Sequence, residues 1–234
     1  MSKVFEQPLP GGQTHGVVRV GSTVRRPAHP RSGFVQALLR HLEAVGFDGA
    51  PRALGYDEQG RPVLSYVDGM VPQTAPYALS DAQLVSGATL VCAYHDATAS
   101  SPLRDGHEVV CHGDLGPHNT VFRGEVAVAI IDWDGDVQPG RRAVDFAHAV
   151  WCFADLIEPD VPLAEQARRT RLMCDAYPGM TPQIVLSELT ARFERARAQH
   201  EAARRSRAVE IFDGLLAWLD AHGQDIATAP AECH

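Results

Sequence analysis

Short apolar runs bounded by Gly, Pro and Asp dominate the first 67 residues of this 234-residue chain, and helical spacing takes over in its later part. Val17 to Val20 and Thr23 to Arg26 read as strands around Gly21-Ser22. Arg52 to Tyr56 and Pro62 to Val67 read as two more, joined by the turn Asp57-Glu58-Gln59-Gly60. Between these pairs, Phe34, Leu38, Leu39, Leu42 and Val45 recur at helical spacing, predicting a helix that starts with Ser32 as N-cap and runs towards Val45. Asp68-Gly69 then releases the chain.

From an N-cap at Ser80 to about Ala99, a second helix is expected through Leu84, Ala88, Val91 and His95; a His so near a helix C-terminus reads as serving the helix dipole. Thr120 to Phe122, the turn Arg123-Gly124-Glu125 and the apolar run Val126 to Ile131 predict a hairpin. Beyond Asp145 the pattern is helical over 146–157, 163–177 and 181 to about 221, interrupted by Pro159, Pro162, Pro178 and Pro182. The alternating Glu and Arg of 192–207 read as a solvated, salt-bridged helix face. The fold class is therefore α+β, with residues 1–67 as one lobe and 68–234 as the other.

Composition adds limits. With 45% hydrophobic and 21% charged residues the chain can bury a substantial core. No stretch reaches the ~20 apolar residues of a membrane span, and the start, MSKVFEQPLPGG, has no signal-like apolar region, so no membrane partner and a cytoplasmic location are expected. Cys92, Cys111, Cys152, Cys174 and Cys233 are odd in number and scattered, the pattern of reduced thiols. A net charge of −8 argues against a nucleic-acid partner and suits a cationic acceptor.

The candidate chemistry lies between Cys111 and Asp136, CHGDLGPHNTVFRGEVAVAIIDWDGD. His112, Asp114, Leu115 and Asn119 satisfy H-x-D-L-x-x-x-N, in which the Asp takes the proton of an acceptor hydroxyl and the Asn holds magnesium. The hairpin then delivers Asp132 from a strand end, where it can share that ion with Asn119, and Asp134 is a further candidate ligand. His118 reads as a loop residue, and Cys111 as a small buried hydrophobe without chemistry.

HGDLGPHN, IIDWDGD and GRRAVDFA together closely resemble the aminoglycoside phosphotransferase and choline kinase-like enzymes. The resemblance implies a protein-kinase-like two-lobe fold, with a small β-rich N-lobe open to truncation of its first strand and a mostly helical C-lobe. It also implies Asp114 as catalytic base, Asn119 and Asp132 as metal ligands, and His112 and Asp145 as supports of the catalytic loop. Gly113 stands where protein kinases usually carry Arg, which points away from a protein substrate. The backbone of Ser65, Tyr66 and Val67 would meet the adenine edge of ATP or GTP by analogy with the kinase hinge.

Of the 21 Lys and Arg, only Lys3 is lysine, so the phosphate-binding lysine of kinases is missing. Arg25 or Arg26 occupies its position, and a pair with Glu43 on the following helix would copy the Lys to Glu pair; a solvated strand edge is the alternative for both arginines. Gly11, Gly12 and Gly16 offer a weak phosphate-covering loop. Asp155, Glu158 and Asp160 are candidates to line a pocket for a cationic acceptor. The expected activity is transfer of a γ-phosphoryl group from a Mg-nucleotide to a hydroxyl of a small molecule, an antibiotic or related metabolite. The rival is a non-catalytic kinase-like protein that binds or sequesters a toxin or antibiotic.

Overall fold

The computed structural model describes residues 5–9 and 16–228; Lys3, Gly11, Gly12 and Cys233 lie outside them. Strands β1 (Gln7–Pro8), β2 (Val18–Val20), β3 (Thr23–Arg25), β4 (Ala53–Tyr56) and β5 (Pro62–Ser65) form an antiparallel sheet in the order β1-β2-β3-β5-β4. This is the small N-lobe, and its first strand is only two residues long. β3 pairs with β5 so that Val24 faces Leu64 and Arg25 faces Val63. Because side chains alternate along a strand, Val24 and Arg26 turn to one side and Arg25 to the other.

Helix α1 (Ser32–Ala44) packs on this sheet through Val35, Leu38, Leu39 and Leu42. The stripe is rotated from the expected one: Phe34 is only partly buried, beneath the Arg31 guanidinium, and Val45 is 46% exposed. Ser32 is inside the helix rather than capping it. Its hydroxyl accepts the His29 N–H at 2.9 Å, which closes the entry turn, and Arg31 takes the cap position without a side-chain bond.

The C-lobe is mostly helical: α2 (Asp81–Thr98), α3 (Arg142–Phe153), α4 (Leu163–Asp175), α5 (Pro182–Ala202) and α6 (Ser206–Thr228). α2 begins in a capping box, in which the Ser80 hydroxyl accepts from Gln83 N–H and the Gln83 side chain accepts from Ser80 N–H. The single helix expected beyond Thr181 is two. The chain reverses at 203–205, where Arg204 takes a left-handed φ of 55°, and this returns Leu219 and Ile226 to the core shared with Leu186, Leu189 and Phe193. One continuous rod would have left that apolar face in water. Part of the Arg-rich run serves the reversal, with Arg197 bonded to both Glu201 and Asp213.

Two small ladders sit between sheet and helices: β6 (Val109–Cys111) with β9 (Gln138–Gly140), and β7 (Thr120–Arg123) with β8 (Val126–Ile130). Several ties hold these ladders and their flanks to the N-terminal half. Met70 and Phe122 exchange backbone hydrogen bonds, Ile130 N–H donates to Gly49 O, and Arg31 donates to Val137 O. Among the described residues no helix is long and apolar enough to cross a membrane.

Gly87 sits on α2 where a Cβ would come 2.5 Å from the fully buried Phe153 ring. Gly→Ala inside a helix ordinarily gains up to about 1 kcal/mol. Overpacking a core costs about 1–3 kcal/mol. Gly87→Ala is therefore expected to lower stability by roughly 1 kcal/mol net, read as a lower urea midpoint at unchanged slope; a raised midpoint contradicts the packing.

Candidate active site

The loop between β6 and β7 carries Asp114, and one buried carboxylate shapes it. Asp145, in the first turn of α3, accepts His112 N–H on Oδ2 and Gly113 N–H on Oδ1, each at 2.8 Å, and His95 Nε2 lies 3.1 Å from Oδ2. Burial works against the Asp145 charge, and the His95 contact and loop N–H donors outweigh it, so its carboxyl lies below its ordinary range. Gly113 has φ 88°, and a Cβ there would come 2.6 Å from Asp136 O, so no arginine fits.

His95 therefore does more than serve a helix terminus. Its Nδ1 also meets the Tyr177 hydroxyl at 2.8 Å, which makes it a buried link between α2, α4's end and the loop. His112 is buried as well. Its Nε2 donates to Ile131 O at 3.0 Å while Ile131 N–H donates to Asn119 O at 2.9 Å, so the residue before Asp132 is fixed to the loop from both sides. Desolvation holds the His112 pKa down, and the ring meets Trp133 edge-on at 4.7 Å between centroids.

Asn119 spends its amide N–H groups on Asp114, donating to the backbone O and to Oδ2, both at 2.9 Å. That leaves its Oδ1 as the group available to a cation. Asp114 is clamped further: His148 Nε2 lies 3.2 Å from Oδ1 and His118 Nε2 3.5 Å from Oδ2. The His118 and His148 rings hold the Asp114 carboxyl far below the usual carboxylate range. His118 is thus a site residue rather than a plain loop residue, and the Tyr77 hydroxyl, 3.0 Å from its Nδ1, orients it. Cys152 lies 4.0 Å from His148, and burial pushes its thiol up to about 12.

Asp114, Asn119, Asp132 and Asp134 line one cleft of about 860 Å³ together with Arg26, Ser65, Tyr66 and Val67. Asp132 has a left-handed φ of 64°, a conformation that aspartate tolerates better than most non-glycine residues. Along 65–67, the Ser65 N–H already donates to Arg52 O at 3.0 Å and the Tyr66 N–H to Ser22 O at 2.8 Å, so of the three only Val67 can offer an N–H to a heterocycle.

The two arginines separate. Arg26 is buried and reaches Asp132 Oδ1 at 2.5 Å, with Asp134 Oδ2 at 3.8 Å. Arg25, on the opposite face, bonds the Thr23 hydroxyl and stays out of the cleft. Glu43 is a correction too: it is half exposed and 3.8 Å from Arg52, because the rotation of α1 points it away from the cleft. Ser32, Val35 and Gln36 of α1 line a small cavity together with Arg26.

The three acceptor-side carboxylates do not form a pocket. Asp155 is fully buried, paired with Arg169 at 2.7 Å and accepting Tyr77 N–H at 3.0 Å, so it anchors the loop that carries Tyr77. Glu158 and Asp160 do not line the cleft.

As a set of donors, Asn119 Oδ1 and the Asp132 and Asp134 carboxylates are hard oxygens of the kind magnesium takes. Among the described residues no group of three His, Cys, Asp or Glu side chains is arranged to hold a metal by itself.

A model of the phosphotransferase enzyme family matches residues 91–182. The chain is 34% identical over 192 residues to the trifolitoxin immunity protein of Rhizobium leguminosarum bv. trifolii, covering 72% of each. Among solved structures it is similar to the GDP and kanamycin complex of APH(2")-IIia, with a TM-score of 0.59 and 15% identity, over 93% of both chains. It is also similar to a choline/ethanolamine kinase family protein from Mesorhizobium loti, with a TM-score of 0.57 and 16% identity, over 94% of this chain and 87% of that one.

Asp155→Ala strands the Tyr77 N–H and takes from Arg169 one of its two carboxylates, Glu165 remaining at 2.7 Å. The change is expected to cost about 1–3 kcal/mol in equilibrium unfolding; a loss below about 0.5 kcal/mol is incompatible with a buried anchor.

Proposed function

We propose that this chain, which belongs to the phosphotransferase enzyme family, transfers the γ-phosphoryl group of ATP or GTP to a hydroxyl of a small acceptor. The observation that carries this reading is the meeting of Asp114, Asn119 and Asp132 in one cleft, with the first two hydrogen bonded at 2.9 Å. The cleft is large enough for a nucleotide and opens between the sheet and the helical lobe.

In this mechanism the base edge of the nucleotide lies along 65–67 and its phosphates run towards Arg26. Asp114 orients the acceptor hydroxyl and takes its proton as the oxygen bonds to the γ-phosphorus. The bond from that phosphorus to the β–γ bridging oxygen breaks, and the nucleoside diphosphate leaves with its electrons. Asn119, Asp132 and Asp134 would hold magnesium, which when bound neutralises charge on the phosphates. With His118 and His148 gripping it, Asp114 has one orientation, so positioning supplies much of the rate. The acceptor is an antibiotic or related metabolite, and the cleft's four aspartates, Asp114, Asp132, Asp134 and Asp136, suit a cationic one. The reaction belongs in the cytoplasm, where nucleotide triphosphates are present and thiols stay reduced.

A second reading has its own support. Arg26 already neutralises Asp132, and the 34% identical relative is named an immunity protein. On that reading the chain binds and sequesters a toxin or antibiotic without phosphoryl transfer.

Incubation of the protein with Mg²⁺, ATP or GTP and a panel of hydroxylated antibiotics and metabolites is expected to give a product heavier by one phosphoryl group in mass spectrometry. Asp114→Asn should lower that turnover by about 10²–10⁴-fold while leaving nucleotide affinity and the melting temperature near wild type. Tight ligand binding that neither nucleotide nor Asp114→Asn alters would favour sequestration.

A further inference from the structure

The cation that Asp132 holds in this structure belongs to the protein. Arg26 reaches Asp132 at 2.5 Å and Asp134 at 3.8 Å, from a side chain only 8% exposed. Both contacts are made by the same guanidinium nitrogen, Nη2. The helix behind it offers no competing anion. Gln36 faces the same small cavity as Arg26, along with His29, Ser32 and Trp133; it is 1% exposed, its Oε1 has only a long contact from Arg40 at 3.5 Å, and its Nε2 has no partner. In kinases a glutamate on the corresponding helix pairs with the strand's basic residue. Glu43, the acidic residue further along the helix, is turned to Arg52.

We propose that Arg26 is the built-in counter-cation of Asp132 and Asp134, excluding a free divalent ion from them until nucleotide phosphates draw the guanidinium away, and that Gln36 keeps it there by offering no charge on the helix side. This rests on the phosphotransferase reading of the cleft. It makes nucleotide and ion bind together: the phosphates supply both the anion that Arg26 needs on leaving and the oxygens that complete the ion's shell. The linkage is reciprocal, so the ion strengthens nucleotide binding by the factor by which nucleotide strengthens the ion.

The test is Mn²⁺ binding to the full chain, measured by electron paramagnetic resonance with and without a non-hydrolysable ATP or GTP analogue. Wild type is expected to bind free Mn²⁺ at least tenfold more weakly than Arg26→Gln, and adding analogue should erase most of the difference. Gln36→Glu keeps the guanidinium but gives it a second anion, so it should also tighten free Mn²⁺ binding. In Arg26→Gln the added Gln36→Glu should gain nothing further, which separates relocation of Arg26 from a mere extra negative charge. Thermal melts verify that each variant is folded, and Gln36→Glu keeps the test decisive if Arg26→Gln is not. Equal free-Mn²⁺ affinity in wild type and both single variants overturns the inference while leaving phosphoryl transfer intact. Absence of Mn²⁺ binding in every variant even with analogue overturns the phosphotransferase reading and this inference with it.

Discussion

The Asp145 carboxylate is the constraint on which the site depends. A charge with 2% exposure is tolerable only when its lone pairs are used, and here they are used by two successive backbone N–H groups of the catalytic loop and by His95. The helix that supplies Asp145 adds to this, since a carboxylate in a first turn meets the positive end of the helix dipole. His95 is held in turn by Tyr177, whose hydroxyl lies 3.4 Å from an Arg142 that also pairs with Asp96. The loop geometry at Asp114 is therefore set by groups from α2, α3 and the end of α4 that never touch the cleft.

The acidic groups of the cleft fall into two kinds. Asp114 is surrounded by neutral or weakly basic donors, Asn119, His118 and His148, all compatible with a hydroxyl approaching from the open side. Asp132 is paired with a full positive charge that stands where another cation would need to be. On the reading proposed above, ligand binding leaves the first arrangement in place and rearranges the second.

Much of the fold was legible because its signals are local. The hairpin that delivers Asp132, the capping box at Ser80 and the Asp57–Gly60 turn each follow from residues within a few positions of one another. The choice between Arg25 and Arg26 was decidable only by strand phase, since Val24 and Arg26 share a face two residues apart. Glu43 was misassigned because a rotation of α1 by one position exchanges which side chain looks inward, and Phe34 and Val45 imitated a stripe that Val35 and Gln36 in fact occupy. His95, His148 and Asp155 were beyond local reading, since their partners lie 50, 34 and 78 residues away and no periodicity reports such contacts. His118 meets Asp114 only four residues away, but the Tyr77 hydroxyl that orients it lies 41 away. A buried histidine on an otherwise apolar helical stripe was the one available signal for His95.

Catalysis and sequestration would use the same cleft, so the position of Asp114 does not separate them: a carboxylate that orients an acceptor hydroxyl for attack would also bind a hydroxylated ligand held passively. What separates them is the opposite wall. A protein that only binds has no need for Asp132 to be released from Arg26, and could keep that pair as a permanent, desolvated structural bridge. A phosphotransferase needs the carboxylate free at the moment of transfer, and needs somewhere for the guanidinium to go. Arg26 is the cation best placed in this cleft to meet incoming phosphates, and it leaves an aspartate to do so, so the exchange is self-consistent: each charge that loses a partner acquires another. With the uncharged Gln36 rather than an acid facing the same small cavity, the strand's positive charge rests on Asp132 and Asp134.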